Sequence, residues 1–164
     1  MSGEGTPLKL LSKELGSSSA KGRKIAIVAA SWHSEIVDIM IDHATAELQR
    51  LGLEKVEVFR VPGSFEIPVM AANLIDKYDG LITLGLVLRG ETAHFEYVCS
   101  GVTQGITQLG VTSKKPIAFG VLMCEKLAQA IDRNGSDGAS EDKGVECAQA
   151  VIATLIAIDS IKVS

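Results

Sequence analysis

The sequence predicts an α/β fold in three layers, a four-stranded parallel sheet with helices on both faces. Two observations carry that reading. Four short runs rich in Val, Ile and Leu occur at Lys24–Ala30 (KIAIVAA), Val56–Val61 (VEVFRV), Gly80–Leu88 (GLITLGLVL) and Pro116–Leu122 (PIAFGVL). Such runs read as strands, and the nearly unbroken ones as strands buried on both faces. Between them, apolar residues recur at steps of three and four, the period of a helix with one buried stripe. Strands alternating with helices imply parallel pairing through right-handed crossovers, and the flavodoxin-like order 2-1-3-4 suits four such units.

A chain of 164 residues makes one domain, which at this size buries roughly 70% of its unfolded surface. Hydrophobic residues reach 46% while aromatics are only 4%, so the core is aliphatic. The apolar surplus points to contacts between subunits. A net charge of −4 gives no reason to expect nucleic acid. Cys99, Cys124 and Cys147 are odd in number and lack a C-x-x-C spacing. They read as reduced, buried, small hydrophobes of a cytoplasmic protein, with neither a metal nor a disulfide role. No apolar run approaches the roughly 18 residues of a membrane span, and the N-terminal stretch lacks a secretory apolar core.

Taken in order, residues 1–22 form a flexible tail dominated by Gly and Ser, and residues 23–164 form the domain. The first strand ends at Ser31, with Trp32 and His33 directly after it. Ile36, Met40, Ala44, Leu48 and Leu51 then mark one helix face, and Gly52 suits the residue that closes it. Trp32 is either a core filler or a flat face for a planar heterocycle; His33 is left without a role. The second strand ends at Pro62-Gly63. Ser64 to Asp76 reads as a helix with Ser64 as N-cap, Glu66 in the first turn and Pro68 tolerated there.

The third strand stops at Arg89-Gly90-Glu91-Thr92, and Phe95, Val98, Cys99, Val102, Ile106 and Leu109 mark the helix that follows. Thr92 thus falls near the helix start and His94 in or beside its first turn. A helix N-terminus offers unpaired N–H donors and partial positive charge, which together suit phosphate or carboxylate. Gly90 admits a ligand to the backbone, and the Thr92 hydroxyl adds a donor. The helix field disfavours a charged imidazole at His94, and a neutral one beside an anion can shuttle protons. On spacing alone, a capping Thr92 and a surface His94 explain the same residues.

The fourth strand carries Phe119, a core residue by default. Glu125 to Arg133 reads as a short helix, Arg133 being by default its solvated terminal cation. Asn134 to Ala139 (NGSDGA) is a loop. Ser140 suits the cap of a last helix to Ile161, with Glu141 and Asp142 in its first turn. That helix is apolar nearly all round, as one covered by the sheet and by a partner would be.

VPGSFEIP at 61–68, LGLVLRGETAHFEYV at 84–98, FGVL at 119–122, AQAIDR at 128–133 and EDKG at 141–144 occur in this order and spacing. Together they resemble the 6,7-dimethyl-8-ribityllumazine synthases of riboflavin biosynthesis, from about Arg23 to the C-terminus. The resemblance implies condensation of 5-amino-6-(D-ribitylamino)uracil with 3,4-dihydroxy-2-butanone 4-phosphate, with no cofactor and no metal. It assigns Trp32 to the pyrimidine ring, where many members have Phe; Ser64, Phe65 and Glu66 to the ribityl chain; and Leu86, Val87 and Leu88 to the pyrimidine. It gives Glu91, Thr92 and Arg133 to the phosphate, an arginine supplying a bidentate grip, and proton transfer to His94. Phe119 would cover the ring from an adjacent subunit, and Lys143 would stand at the site edge. His33 and Glu91 depart from the commoner family residues. The resemblance also implies a homo-oligomer with shared sites and, because pentameric members carry a longer loop here than shell-forming ones, the ten positions from Arg133 to Lys143 favour a pentamer.

Two other readings fit the same crevice. One is a flavodoxin-like module that binds a flavin or nucleotide without catalysis, and the other a subunit whose main task is assembly.

Overall fold

The computed structural model describes residues 15–162. Four parallel strands, β1 (Ile25–Ala30), β2 (Glu57–Val61), β3 (Gly80–Leu88) and β4 (Ile117–Cys124), form one sheet in the order β2-β1-β3-β4. This is the order expected from the alternation of elements. All six residues of β1 are buried, as are the first seven of β3, because both are interior strands covered on both faces.

The covering layers are α1 (Ser34–Arg50) and α5 (Lys143–Lys162) on one face, and α2 (Ile67–Leu74) and α3 (His94–Ser113) on the other. Alternate residues of one strand feed opposite cores. Ile25, Ile27 and Ala29 join Met40, Leu48 and Ile152, whereas Ala26, Val28 and Ala30 join Ile67, Val102 and Ile106. Such two-sided burial contributes about 1.5–3 kcal/mol for each large aliphatic side chain. Close backbone approach makes glycine necessary at Gly144, where an added Cβ would sit 2.3 Å from the Met40 carbonyl oxygen of α1. Gly52 closes α1 at φ +97, in the left-handed region expected of it.

Several expectations change at element ends. Residues 64–76 form not one helix but a 3₁₀ turn (Ser64–Glu66), then α2, then a second 3₁₀ turn (Ile75–Lys77). Gly63 enters extended, and the Glu66 carboxylate reaches back to the Gly63 N–H at 2.9 Å, so Ser64 is not the cap. The short helix α4 spans only Leu127–Ile131, because the Gln129 side chain ties down the N–H groups of Glu125 and Lys126. Ser140 does not cap α5: its hydroxyl and N–H both go to the Asp132 carboxylate. Asp142 caps instead, accepting the Val145 N–H at 3.0 Å.

Of the segment expected to be a tail, residues 1–14 lie outside the described residues. Leu15 and Ala20 are packed into the core, and the Ala20 N–H donates to the Leu51 carbonyl at 2.7 Å. Helix α5 is long and apolar enough to cross a membrane by length and composition, contrary to the sequence expectation. Its Cys147, Ala148, Val151, Ile152 and Leu155 are buried, however, which is how the core helix of an α/β domain passes such a test.

Candidate functional site

The C-terminal ends of β1, β2 and β3 open into a cleft of about 470 Å3. Open α/β sheets bind ligands at this edge, where crossovers leave on opposite faces. Trp32 and His33 come from the end of β1, Ser64, Phe65 and Glu66 from the turn after β2, and Leu86, Val87, Leu88, Thr92 and His94 from β3 and the start of α3. The structure therefore brings together ten of the residues singled out in the sequence.

Their surroundings explain their poses. Trp32 is 71% exposed, so it is a wall of the cleft and not a core filler. His33 adopts φ 58 and ψ 44, the left-handed conformation that non-glycine residues rarely hold. Its ring stands edge-on to Trp32 at 6.5 Å between centroids. Ser64 is buried, and its hydroxyl donates to the Leu86 carbonyl at 3.4 Å, joining the β2 turn to the β3 rim. The Glu66 Oε2 atom is held by the Gly63 N–H.

Helix α3 begins at His94, and the Thr92 hydroxyl accepts the His94 backbone N–H at 3.4 Å. Arg89 braces this corner. It pairs with Glu96 in the first turn of α3, reaches Glu125 at 2.6 Å, and lies 4.2 Å from the centre of the Phe95 ring. Those carboxylates hold the Arg89 pKa above its usual value, and Arg89 keeps the Glu96 carboxyl below the ordinary range.

Phe119, Arg133 and Lys143 do not line this cleft. They line a second one of about 400 Å3 along β4, and the two linings share no residue. Phe119 is 37% exposed, so it is not a core residue. The Arg133 guanidinium donates to the Gln129 carbonyl at 2.8 Å. Lys143 pairs with Glu146 and lies 3.5 Å from Glu141. Burial alone would lower the Lys143 pKa, but Glu146 and Glu141 outweigh it and raise the value, keeping the ammonium charged. Glu91 is exposed and lines neither cleft.

Sequence reasoning missed Pro62, Gly63, Phe95 and Val98 in the first lining, and Gln129 and Glu141 in the second. Phe95 and Val98 had been read only as the buried face of α3, and the helical period that marked them gives no sign that this face also meets the cleft. Cys124 and Cys147 are buried thiols, as expected, but Cys99 is only half-buried. Burial pushes the Cys147 thiol up to about 12, which keeps it protonated and inert.

Comparison with known proteins supplies what geometry leaves open. Residues 22–158 match the family model of 6,7-dimethyl-8-ribityllumazine synthase. The chain is 47% identical over 155 residues to the 6,7-dimethyl-8-ribityllumazine synthase of Cutibacterium acnes, covering 94% of this chain and 93% of that protein. It is 43% identical over 162 residues to that of Streptomyces coelicolor, covering 98% and 97%. With that of Micrococcus luteus it shares 48% over 140 residues, covering 85% and 88%. A cleft at the strand ends, a histidine at the head of α3, and matches of this extent place the chain in the 6,7-dimethyl-8-ribityllumazine synthase family.

Proposed function

We propose that the protein condenses 5-amino-6-(D-ribitylamino)uracil with 3,4-dihydroxy-2-butanone 4-phosphate, giving 6,7-dimethyl-8-ribityllumazine, phosphate and water. The carrying observation is that His94 shares one cleft with Trp32 and the Ser64–Glu66 turn in a chain of this family. The primary amine attacks the ketone to give an imine, phosphate leaves, the enol tautomerises, and ring closure with dehydration completes the product.

Each residue has a part that its setting suits. Trp32 stacks on the pyrimidine, whose polar edges meet the backbone of Leu86, Val87 and Leu88 at the β3 rim. Ser64, Phe65 and the free oxygen of Glu66 hold the ribityl chain. The N–H groups of Glu91 and Thr92, at the N-terminus of α3, meet the phosphate, with the Glu91 side chain turned to solvent. His94 transfers protons, a contribution of about 10²–10⁴-fold. Holding the two reactants in attack geometry supplies much of the remainder.

Arg133, Lys143 and Phe119 enter from a neighbouring copy. What supports a shared site is that these three line a cleft apart from His94 within one chain. Exposed Val111 and half-buried Ile117 extend an apolar surface beside Phe119 on β4, the edge strand. A ring of five copies, in keeping with the loop from Arg133 to Lys143, joins the two clefts across each boundary. Free, buried Cys124 and Cys147 suit a reducing cytoplasm.

The test is a two-substrate assay on purified protein, read by lumazine absorbance, with native mass measured alongside. Lumazine formation by a pentamer is expected. A folded oligomer that binds the pyrimidine but forms no product would overturn the assignment. Co-assembled His94→Ala and Arg133→Ala chains should regain activity at the mixed boundaries, and no recovery despite proven mixing would overturn the shared site.

A further inference from the structure

We infer that His43, on the outer helix α1 and outside both clefts, is a positioning residue that fixes the Arg133–Lys143 pair through Asp142. His43 Nδ1 lies 2.6 Å from Asp142 Oδ2. A carboxylate only accepts, so Nδ1 carries the hydrogen. The other oxygen of Asp142 caps α5 through the Val145 N–H at 3.0 Å. One side chain thus joins the start of α5 to α1.

The loop between Arg133 and Lys143 is built around this contact. Gly135 has φ +86, and a Cβ there would lie 2.5 Å from His43 Nδ1 and 2.6 Å from the Asp142 carboxylate. Only glycine lets the loop close over the pair. Asp142 also bridges to Asn134, and the Lys143 N–H donates to the Arg133 carbonyl at 3.0 Å. A shift of Asp142 therefore moves the backbone of both cations together. His43 is not within either cleft lining, so its effect on the reaction runs through the loop.

The inference rests on the proposed reading in which Arg133 holds the phosphate substrate and Lys143 stands beside it at the edge of the site. The experiment compares His43→Ala, His43→Asn, His43→Gln and Arg133→Ala in the full-length assembly, with KM measured separately for each substrate. His43→Ala should raise KM for the butanone phosphate about tenfold, the scale of one lost hydrogen bond to a charged group. KM for the ribitylaminouracil should stay within about twofold. Asn carries an amide nitrogen where Nδ1 stands and should restore the lower KM. Gln carries it where Nε2 stands and should behave as Ala does; it also serves if the Ala variant is unstable.

Equal rises in both KM values, or equal behaviour of Asn and Gln, would overturn a positioning role. If Arg133→Ala leaves KM for the phosphate unchanged, the phosphate assignment itself fails. If Arg133→Ala raises it and His43→Ala does not, only the inference about His43 fails.

Discussion

The backbone N–H of Lys143 donates to the carbonyl of Arg133 at 3.0 Å, so a loop of ten positions returns two cations to one point of the second cleft. The arrangement is set by main chain, while the guanidinium and ammonium remain at the cleft wall. Of the two, Lys143 is already paired with Glu146 and flanked by Glu141, whereas the Arg133 guanidinium offers a phosphate a planar, two-pronged grip.

Arg133→Lys keeps the charge and loses the fork. It should lower kcat/KM for the butanone phosphate by roughly ten- to a hundredfold, the scale of about 1.5–3 kcal/mol for a hydrogen bond to a charged group. The loss should appear in KM for that substrate, leaving KM for the pyrimidine alone. A variant with unchanged kcat/KM would remove Arg133 from the phosphate site.

Trp32 is the only tryptophan and is 71% exposed, so its fluorescence reports directly on the cleft. Saturating ribitylaminouracil should quench it. Trp32→Ala should change stability by no more than about 0.5 kcal/mol, as an exposed side chain does. It should raise KM for the pyrimidine about three- to tenfold, the value of one aromatic stacking contact. Quenching by the butanone phosphate alone would place the two substrates the other way round.

The strands and their order were legible because an aliphatic run between glycine turns has few other uses, and β1 and β3 are buried along nearly all their length. The first cleft followed, since Trp32, Ser64 and His94 each stand just past a strand end. The division between clefts was not legible in the residue pattern, and only the family resemblance set Phe119 apart: nothing along β4 itself reveals that Phe119 stands exposed at the sheet edge rather than in the core. Local caps were misassigned for a related reason. Ser140 and Asp142 are equally good caps by type, and only the fold offers Ser140 the Asp132 carboxylate. The His43–Asp142 contact joins residues 99 positions apart, beyond the reach of any local pattern.

Gly85 lies on β3 beneath the cleft floor, where an added Cβ would come within 2.6 Å of the Ser64 hydroxyl and 3.3 Å of Ile67 Cδ1. Gly85→Ala should therefore cost about 1–3 kcal/mol by overpacking. It should also displace Ser64 from the Leu86 carbonyl and raise KM for the pyrimidine. Denaturation at fixed protomer concentration measures the first effect, since subunit association shifts apparent stability. Unchanged stability would mean that the β2 turn yields freely.

Glu47 is buried between α1 and α5, where Arg50 grips both its oxygens at 2.6 Å and the Gln149 amide donates at 2.7 Å. Burial alone would raise its pKa, but the Arg50 and Gln149 bonds outweigh that and hold the carboxyl below the usual 4.5. A carboxyl lowered on folding contributes stability that is complete above its unfolded pKa and is lost as the pH falls through the folded one. Glu47→Gln should thus cost about 1–3 kcal/mol at neutral pH. The variant's disadvantage should shrink as the pH drops below about 4.5, where the unfolded chain's carboxyl takes up a proton, and vanish once the folded carboxyl, held lower, is protonated too. A disadvantage that stays constant down to low pH would remove Glu47 from the acid transition.

His94 stands at the first position of α3, with its backbone N–H on the Thr92 hydroxyl and its ring in the cleft with Trp32 and Glu66. Its task in the proposed reaction is proton transfer during imine formation and ring closure, while the cleft walls and the cations align the reactants. His94→Ala should then lower kcat by about 10²–10⁴-fold without abolishing turnover. KM for the pyrimidine should move little, because its contacts lie on β1, the β2 turn and the β3 rim. His94→Gln keeps a hydrogen-bonding amide but cannot exchange protons near neutral pH, so it should be as slow as the alanine variant. Single-turnover measurement separates chemistry from product release. A His94→Gln variant with near-normal kcat would show that the imidazole only binds, and that the protons travel by another route.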